Sequence, residues 1–142
     1  MNLWDKPSTM NPIIRNILAL ILGVIIGSIV NGGIITLGPF IVPYPEGMDP
    51  MNPESIAEHM DEFTALNFLI PFITHALGTL AGAWIAHKIA ATYKPNFAYG
   101  VGVIFLIGGI VNAFTLPAPT WFIAVDLIFA YLPMAWLVAR KG

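Results

Sequence analysis

The sequence predicts an all-α protein: an integral membrane four-helix bundle with both termini in the cytoplasm and one long acidic, proline-rich exterior loop. Three observations carry that expectation. Four stretches are long and apolar enough to cross a bilayer, which takes about 20 residues over roughly 30 Å of hydrocarbon. Only 10% of the 142 residues are charged and 57% are hydrophobic, against about 25% charged in an ordinary soluble domain. All six basic residues also fall on one side of a chain that crosses four times: Lys6 and Arg15 at the start of the first stretch, Lys88 and Lys94 between the second and third, Arg140 and Lys141 after the fourth.

The charge deficit cannot be hidden in a core this small, because a soluble domain of this length still needs a wet surface. Lipid is the expected solvent for most side chains. A net charge of −2 gives no reason to expect nucleic acid. The absence of cysteine removes disulfides, thiolate metal sites, iron–sulfur clusters, a cysteine nucleophile and palmitoylation.

Span one covers about 13–33, with room to extend toward Pro39. It outlasts the roughly 7–15 apolar residues of a signal peptide, and no small-x-small site closes it, so it reads as a retained helix. The exterior loop follows, about 39–62. It holds Pro39, Pro43, Pro45, Pro50 and Pro53, and six of the eight acids: Glu46, Asp49, Glu54, Glu58, Asp61 and Glu62. Within it, "NPESIAEHMDEF" (52–63) predicts a short helix. Asn52 is its N-cap, Pro53 takes the first helical position, and Glu54 meets the helix dipole in the first turn. That helix is expected to run on into span two.

Span two covers about 64–86 and span three about 97–116. "LPAP" (116–119) makes a tight turn, and span four covers about 120–138. Trp4, Trp84, Trp121 and Trp136 lie near span ends, where an amphipathic ring is comfortable. The positive-inside tendency puts the six cations in the cytoplasm of a bacterial inner membrane.

Helices in lipid associate through small residues and polar contacts. Span one carries Gly23-x3-Gly27 and span two Gly78-x3-Gly82. Span three carries Ala98-x3-Gly102 and Gly109-x3-Ala113. Each small-residue face also carries polar groups: Asn16 and Asn31 on span one, His75 and Thr79 on span two, Asn112 on span three. These faces are therefore expected to point into the bundle.

Asp126 is the acid inside span four. It stands about 9 Å into that span, and His75 about 13 Å into span two. Asp126, His75, Asn112, Asn31 and Thr79 are expected to form one polar cluster in the outer half of the bundle. A charge in hydrocarbon costs at least about 2.5–3.5 kcal/mol. Asp126 can avoid that cost by taking a proton or by bonding to His75 or Asn112. Such a group is a proton- or cation-handling site or a register-setting hydrogen bond. His87, beside Lys88, reads as an interfacial side chain.

Glu58, His59 and Glu62 could share a helical edge and hold a divalent cation, though such ligands in an acidic segment are not specific and a solvated acidic face is the stronger explanation. Haem would need a second deep axial ligand besides His75, so no cofactor is expected. No HExxH, nucleophile elbow or phosphate loop is present, and a lone Asp/His pair does not define a reaction. The two halves of the chain show no repeat of the kind that marks inverted-repeat transporters.

"MNPIIRNILALILG" (10–23), "PFITHALGTLAGAWIAHKIAA" (71–91) and "LPAPTWF" (116–122) together give a chain that resembles small four-helix membrane proteins of Bacteroidota-type bacteria. That resemblance brings no activity, ligand or cofactor with it. The functional expectation is a non-enzymatic membrane binding or assembly module, acting as a homo-oligomer or as a small subunit of a larger membrane complex. The alternative is a small proton- or cation-coupled transporter or channel using Asp126 and His75.

Overall fold

The computed structural model describes residues 9–142; Trp4 and Lys6 lie outside the described residues. The described chain is helical, with α1 (Pro12–Leu37), α2 (Pro53–Glu58), α3 (Ala65–Ile89), α4 (Lys94–Thr115), α5 (Thr120–Phe129) and α6 (Leu132–Ala139). Two single-turn 3₁₀ segments, Gly38–Phe40 and Met60–Glu62, sit in the long loop. Four segments are long and apolar enough to span a membrane: Pro12–Phe40, Ala65–Ile89, Lys94–Thr115 and Thr120–Ala139.

Local chemistry sets the helix ends. Asn11 Oδ1 accepts from the Ile13 amide at 2.8 Å, and Pro12 opens α1 with a nitrogen that has no hydrogen to satisfy. Asn52 Oδ1 accepts from the Glu54 amide at 3.0 Å and starts α2 as expected. The loop helix does not run into the second span. α2 stops at Glu58, and the chain is extended at Phe63 and Thr64 before α3 begins. Asn67 takes over there: its Oδ1 accepts from the Thr64 amide and hydroxyl, each at 2.9 Å, and its Nδ2 donates to the Pro43 carbonyl at 3.0 Å. One buried amide thus starts α3 and ties the loop to it.

At the opposite end of the bundle, α1 clamps the α3–α4 turn. Arg15 Nε donates to the Ile89 carbonyl at 2.6 Å, where a cation also meets the negative end of the α3 dipole. Asn16 Oδ1 accepts from the Ala91 amide at 2.8 Å, and its Nδ2 donates to Thr92 Oγ1 at 2.8 Å. Arg15, Lys88, Lys94, Arg140 and Lys141 therefore share the end at which α1 and α4 begin and α3 and α6 finish.

The core is made of small side chains. Ala83, Ala86, Ala98, Val101, Ala135, Val138 and Ala139 form a buried cluster where α3, α4 and α6 meet. The expected glycine faces do meet. A Cβ on Gly23 would come 2.7 Å from the Gly82 carbonyl oxygen, and one on Gly82 would come 2.6 Å from that of Gly23. A Cβ on Gly27 would come 2.7 Å from the Gly78 oxygen. α1 and α3 thus lie backbone against backbone. Gly102 faces the Ala135 methyl. Outward, Ile13, Ile17, Ile21, Ile25 and Ile29 are exposed along α1.

The expected fourth span, 120–138, is broken. α5 ends at Phe129, Ala130 and Tyr131 form a bend, and α6 restarts at Leu132. Pro133 is the cause. It has no N–H to offer the Phe129 carbonyl, and its ring crowds that oxygen. The Pro-induced break lies beside the site described next, and it decides where Tyr131 points.

Candidate functional site: an enclosed carboxylate beside an apolar cavity

Asp126 sits on the buried side of α5 and is 5% exposed. Its Oδ1 lies 2.8 Å from His75 Nδ1, and its Oδ2 accepts from the Tyr131 hydroxyl at 3.0 Å. The Tyr131 ring stacks on the His75 imidazole, with centroids 5.7 Å apart and planes 25° apart. Both carboxylate oxygens are thus engaged by side chains from α3 and from the α5–α6 bend. Gly109 of α4 makes room: the Tyr131 phenol occupies the space that a Cβ there would need.

Thr79 is fully buried one turn along α3, but it does not join the carboxylate. Its hydroxyl donates to the His75 carbonyl at 2.8 Å, which is the usual outlet for a threonine inside a helix. Thr74 differs. It is 1% exposed, and its Oγ1 is enclosed with no hydrogen-bond partner among the described residues.

A cavity of about 290 Å³ opens beside this cluster. It lies between α1, α3, α4 and α5 at the loop end of the bundle, and Thr74, His75 and Asp126 line it. Asn31 and Asn112 line it too, so the expected residues are brought to one place. Their amides, however, make no hydrogen bond to Asp126. The partner expected of Asn112 is supplied by Tyr131 instead. The rest of the wall is mostly apolar, with Ile35 from α1, Leu116 after α4, and Phe122, Ile123 and Leu127 from α5.

The acidic loop contributes the roof. Ile56 and Met60 turn inward onto the cavity, together with Phe63. Phe68 anchors an aromatic cluster there, with ring centroids 5.2 Å from Phe63, 5.2 Å from Trp121 and 5.1 Å from Phe122. Apolar faces of the loop thus close over the site, while its acids face away.

Glu58 and Glu62, two of the weak metal candidates, are exposed in the loop, and His59 between them is half-buried. α2 ends at Glu58, so the three residues do not share a continuous helical edge. His59 is spent on the helix end, with Nδ1 2.7 Å from the Ser55 carbonyl. Among the described residues no group of three His, Asp or Glu side chains is placed to hold a metal ion. His87, at the basic end, is half-buried, and its Nε2 is enclosed without a partner among the described residues.

Tyr131 is the residue that reading the sequence missed. Its neighbour Pro133 was the available signal, since a proline inside an apolar helix marks a break that reorients what precedes it. No protein-family model, curated protein or solved structure matches this chain.

Proposed function

We propose that this chain is a four-span protein of a bacterial inner membrane, with its basic end in the cytoplasm, and that it is a non-enzymatic binding module. Its site is the cavity beside His75, Asp126 and Tyr131. The observation that carries this reading is the pairing of an enclosed, fully partnered carboxylate with a mostly apolar, roofed cavity. Binding sites of this kind combine apolar walls with a few fixed polar groups.

The membrane setting is supported by the inside-out distribution of side chains. Asp126, Thr74 and Thr79 are buried while the isoleucines of α1 face outward. In lipid, polar groups must be satisfied within the bundle. Binding is favoured over conduction by the packing below the cavity. Towards the basic end, Ala83, Ala86, Ala98, Val101 and Ala135 close the bundle with no exposed surface. Assembly as a homo-oligomer or as a small subunit of a membrane complex is supported by Gly32, Gly33 and Gly108, which face open space on apolar helices and would let another backbone approach.

The second reading is a small proton- or cation-coupled transporter. The imidazole–carboxylate pair on an accessible cavity favours it. Liposomes loaded with a pH-sensitive dye separate the two. The binding reading expects no proton flux above protein-free vesicles. Flux that Asp126→Asn abolishes would establish transport instead. Native mass spectrometry of the same preparation is expected to find more than one copy, or a stable partner, per particle.

A further inference from the structure

A second concave surface runs along the outside of the bundle to its basic end. It is a groove of about 600 Å³ between α3 and α6. Leu77, Ala81 and Trp84 line it at three- and four-residue steps, so they form one stripe on α3, and Lys88 continues that stripe. Leu137 of α6 forms the opposite wall, and Arg140 and Lys141 close the basic end. Asn31 stands against Gly78, so their neighbours Val30 and Leu77 share a level, and Val30 marks the deep end of the groove. The helix rises about 16 Å from Leu77 to Lys88. Half of a roughly 30 Å hydrocarbon core is about 15 Å, so the groove is as long as one leaflet is deep.

The cations at its mouth are unanswered. Among the described residues, the acids other than Asp126 lie in the loop at the far end, between 46 and 62, and Asp126 is paired with His75. Neither Arg140 nor Lys141 has a side-chain hydrogen bond or an acidic partner there. Aromatic rings hold two of the cations in place: the Arg140 guanidinium stands over Trp136, 5.1 Å from its centroid, and Lys88 Nζ over Trp84 at 5.7 Å.

We infer that this groove holds an acyl chain of an anionic phospholipid, with Arg140 and Lys141 as the partners of its phosphate. The inference is separate from the cavity at Asp126 and rests only on the membrane part of the reading above. An apolar channel one leaflet long suits an acyl chain, and a guanidinium beside a lysine at its mouth suits a phosphate. Basic pockets between helices at the cytoplasmic side take anionic headgroups in this way. A zwitterionic headgroup would bring its own cation beside these, and an anionic one brings none. A second copy of the chain is a poorer occupant. Inserted the same way, it would set its own basic end against this one.

The test titrates the full chain, in non-ionic detergent, with equimolar phosphatidylglycerol and phosphatidylcholine carrying the same acyl chains, and reads bound lipid by native mass spectrometry. The first lipid bound is expected to be phosphatidylglycerol by at least about fivefold, the factor one basic side chain contributes. Arg140→Gln together with Lys141→Gln is expected to abolish that preference. Ala81→Phe sets a ring into the groove without changing the charge, and it is expected to weaken binding of the first lipid. Lys94→Gln removes a cation of the same end that does not line the groove, and it is expected to leave the preference unchanged. Equal binding of the two lipids, or a loss in Lys94→Gln as large as in the double variant, would overturn the inference and leave the membrane reading standing. So would an oligomer that Ala81→Phe breaks while lipid binding holds, since a second copy would then fill the groove. Flotation with vesicles runs alongside: a chain that stays out of the lipid band would remove the membrane reading and the inference together.

Discussion

Tyr131 donates to Asp126 Oδ2 at 3.0 Å although the two residues stand five apart on one apolar segment. On a regular α-helix, five residues place two side chains about 140° apart around the axis, out of each other's reach. They meet because the helix is interrupted between Phe129 and Leu132. The backbone at Tyr131, φ −118° and ψ −79°, swings the phenol back across the bend. Gly109 leaves the space that receives it.

Tyr131→Phe keeps the ring and its stacking on His75 while removing one hydrogen bond to a buried carboxylate. A bond of that type is worth about 1.5–3 kcal/mol in water-soluble proteins and about 0.6 kcal/mol on average between membrane helices. The expected loss is about 1 kcal/mol, read from reversible unfolding in mixed micelles.

Substitutions at Asp126 should rank by what they leave unsatisfied. Asn keeps an oxygen for the Tyr131 hydroxyl and offers an amide to His75 Nδ1. Leu deserts both partners inside the bundle, and each stranded polar group costs about 1–3 kcal/mol. Asp126→Leu is expected to be the more destabilising by at least 1 kcal/mol in the same assay, about the cost of one such group. Equal effects of the two would mean that the hydrogen bonds contribute nothing.

Helix packing gives a paired comparison. Gly82→Ala places a methyl 2.6 Å from the Gly23 carbonyl oxygen, so the α1 and α3 backbones must separate. A loss of about 1–3 kcal/mol is expected. Gly108→Ala meets nothing within 4 Å in the single chain, and in a monomeric preparation it should be neutral or should stabilise by up to about 1 kcal/mol through helix propensity. If Gly108 proved as intolerant as Gly82, a second chain would have to cover it.

Asn67→Ala removes the α3 start and the tie to Pro43 together. The expected cost is about 1 kcal/mol, typical of a lost N-cap. Limited proteolysis should cleave within 44–63 sooner than in the parent protein, because the roof loses its anchor.

Topology is directly accessible, since the chain has no cysteine. Single substitutions Met51→Cys and Lys141→Cys place one thiol at each end of the bundle. A membrane-impermeant maleimide added to intact spheroplasts should label the first and not the second. Labelling of Lys141→Cys alone would invert the orientation.

The sequence made four spans legible because each apolar run is long and holds at most one charged residue. It also made the glycine contacts legible, because small residues and polar residues shared helix faces. Asp126 and His75 were found by matching depth along the second and fourth spans, which run in the same direction. What was not legible came from the prolines. Pro133 broke the fourth helix and brought in Tyr131, while hydropathy alone ran straight through it. The loop was also opaque: its acids were conspicuous, yet the inward-facing Ile56, Met60 and Phe63 form the roof, and their i, i+4, i+7 spacing says only that they share a face, not where that face turns. Glu58, His59 and Glu62 illustrate the same limit, since their spacing assumed a helix that ends at Glu58.

The most direct test of the account is the distance between the Asp126 carboxyl carbon and His75 Nδ1 in a lipid bilayer, measured by dipolar recoupling on carbon-13 aspartate and nitrogen-15 histidine. His75–Asp126 is the His–carboxylate pair in contact among the described residues, so one coupling is expected, and it should vanish in Asp126→Asn prepared with the same labels. The account predicts a separation set by a 2.8 Å nitrogen–oxygen contact. A carboxyl beyond hydrogen-bond reach of imidazole, with its side chain against lipid acyl protons, would contradict it.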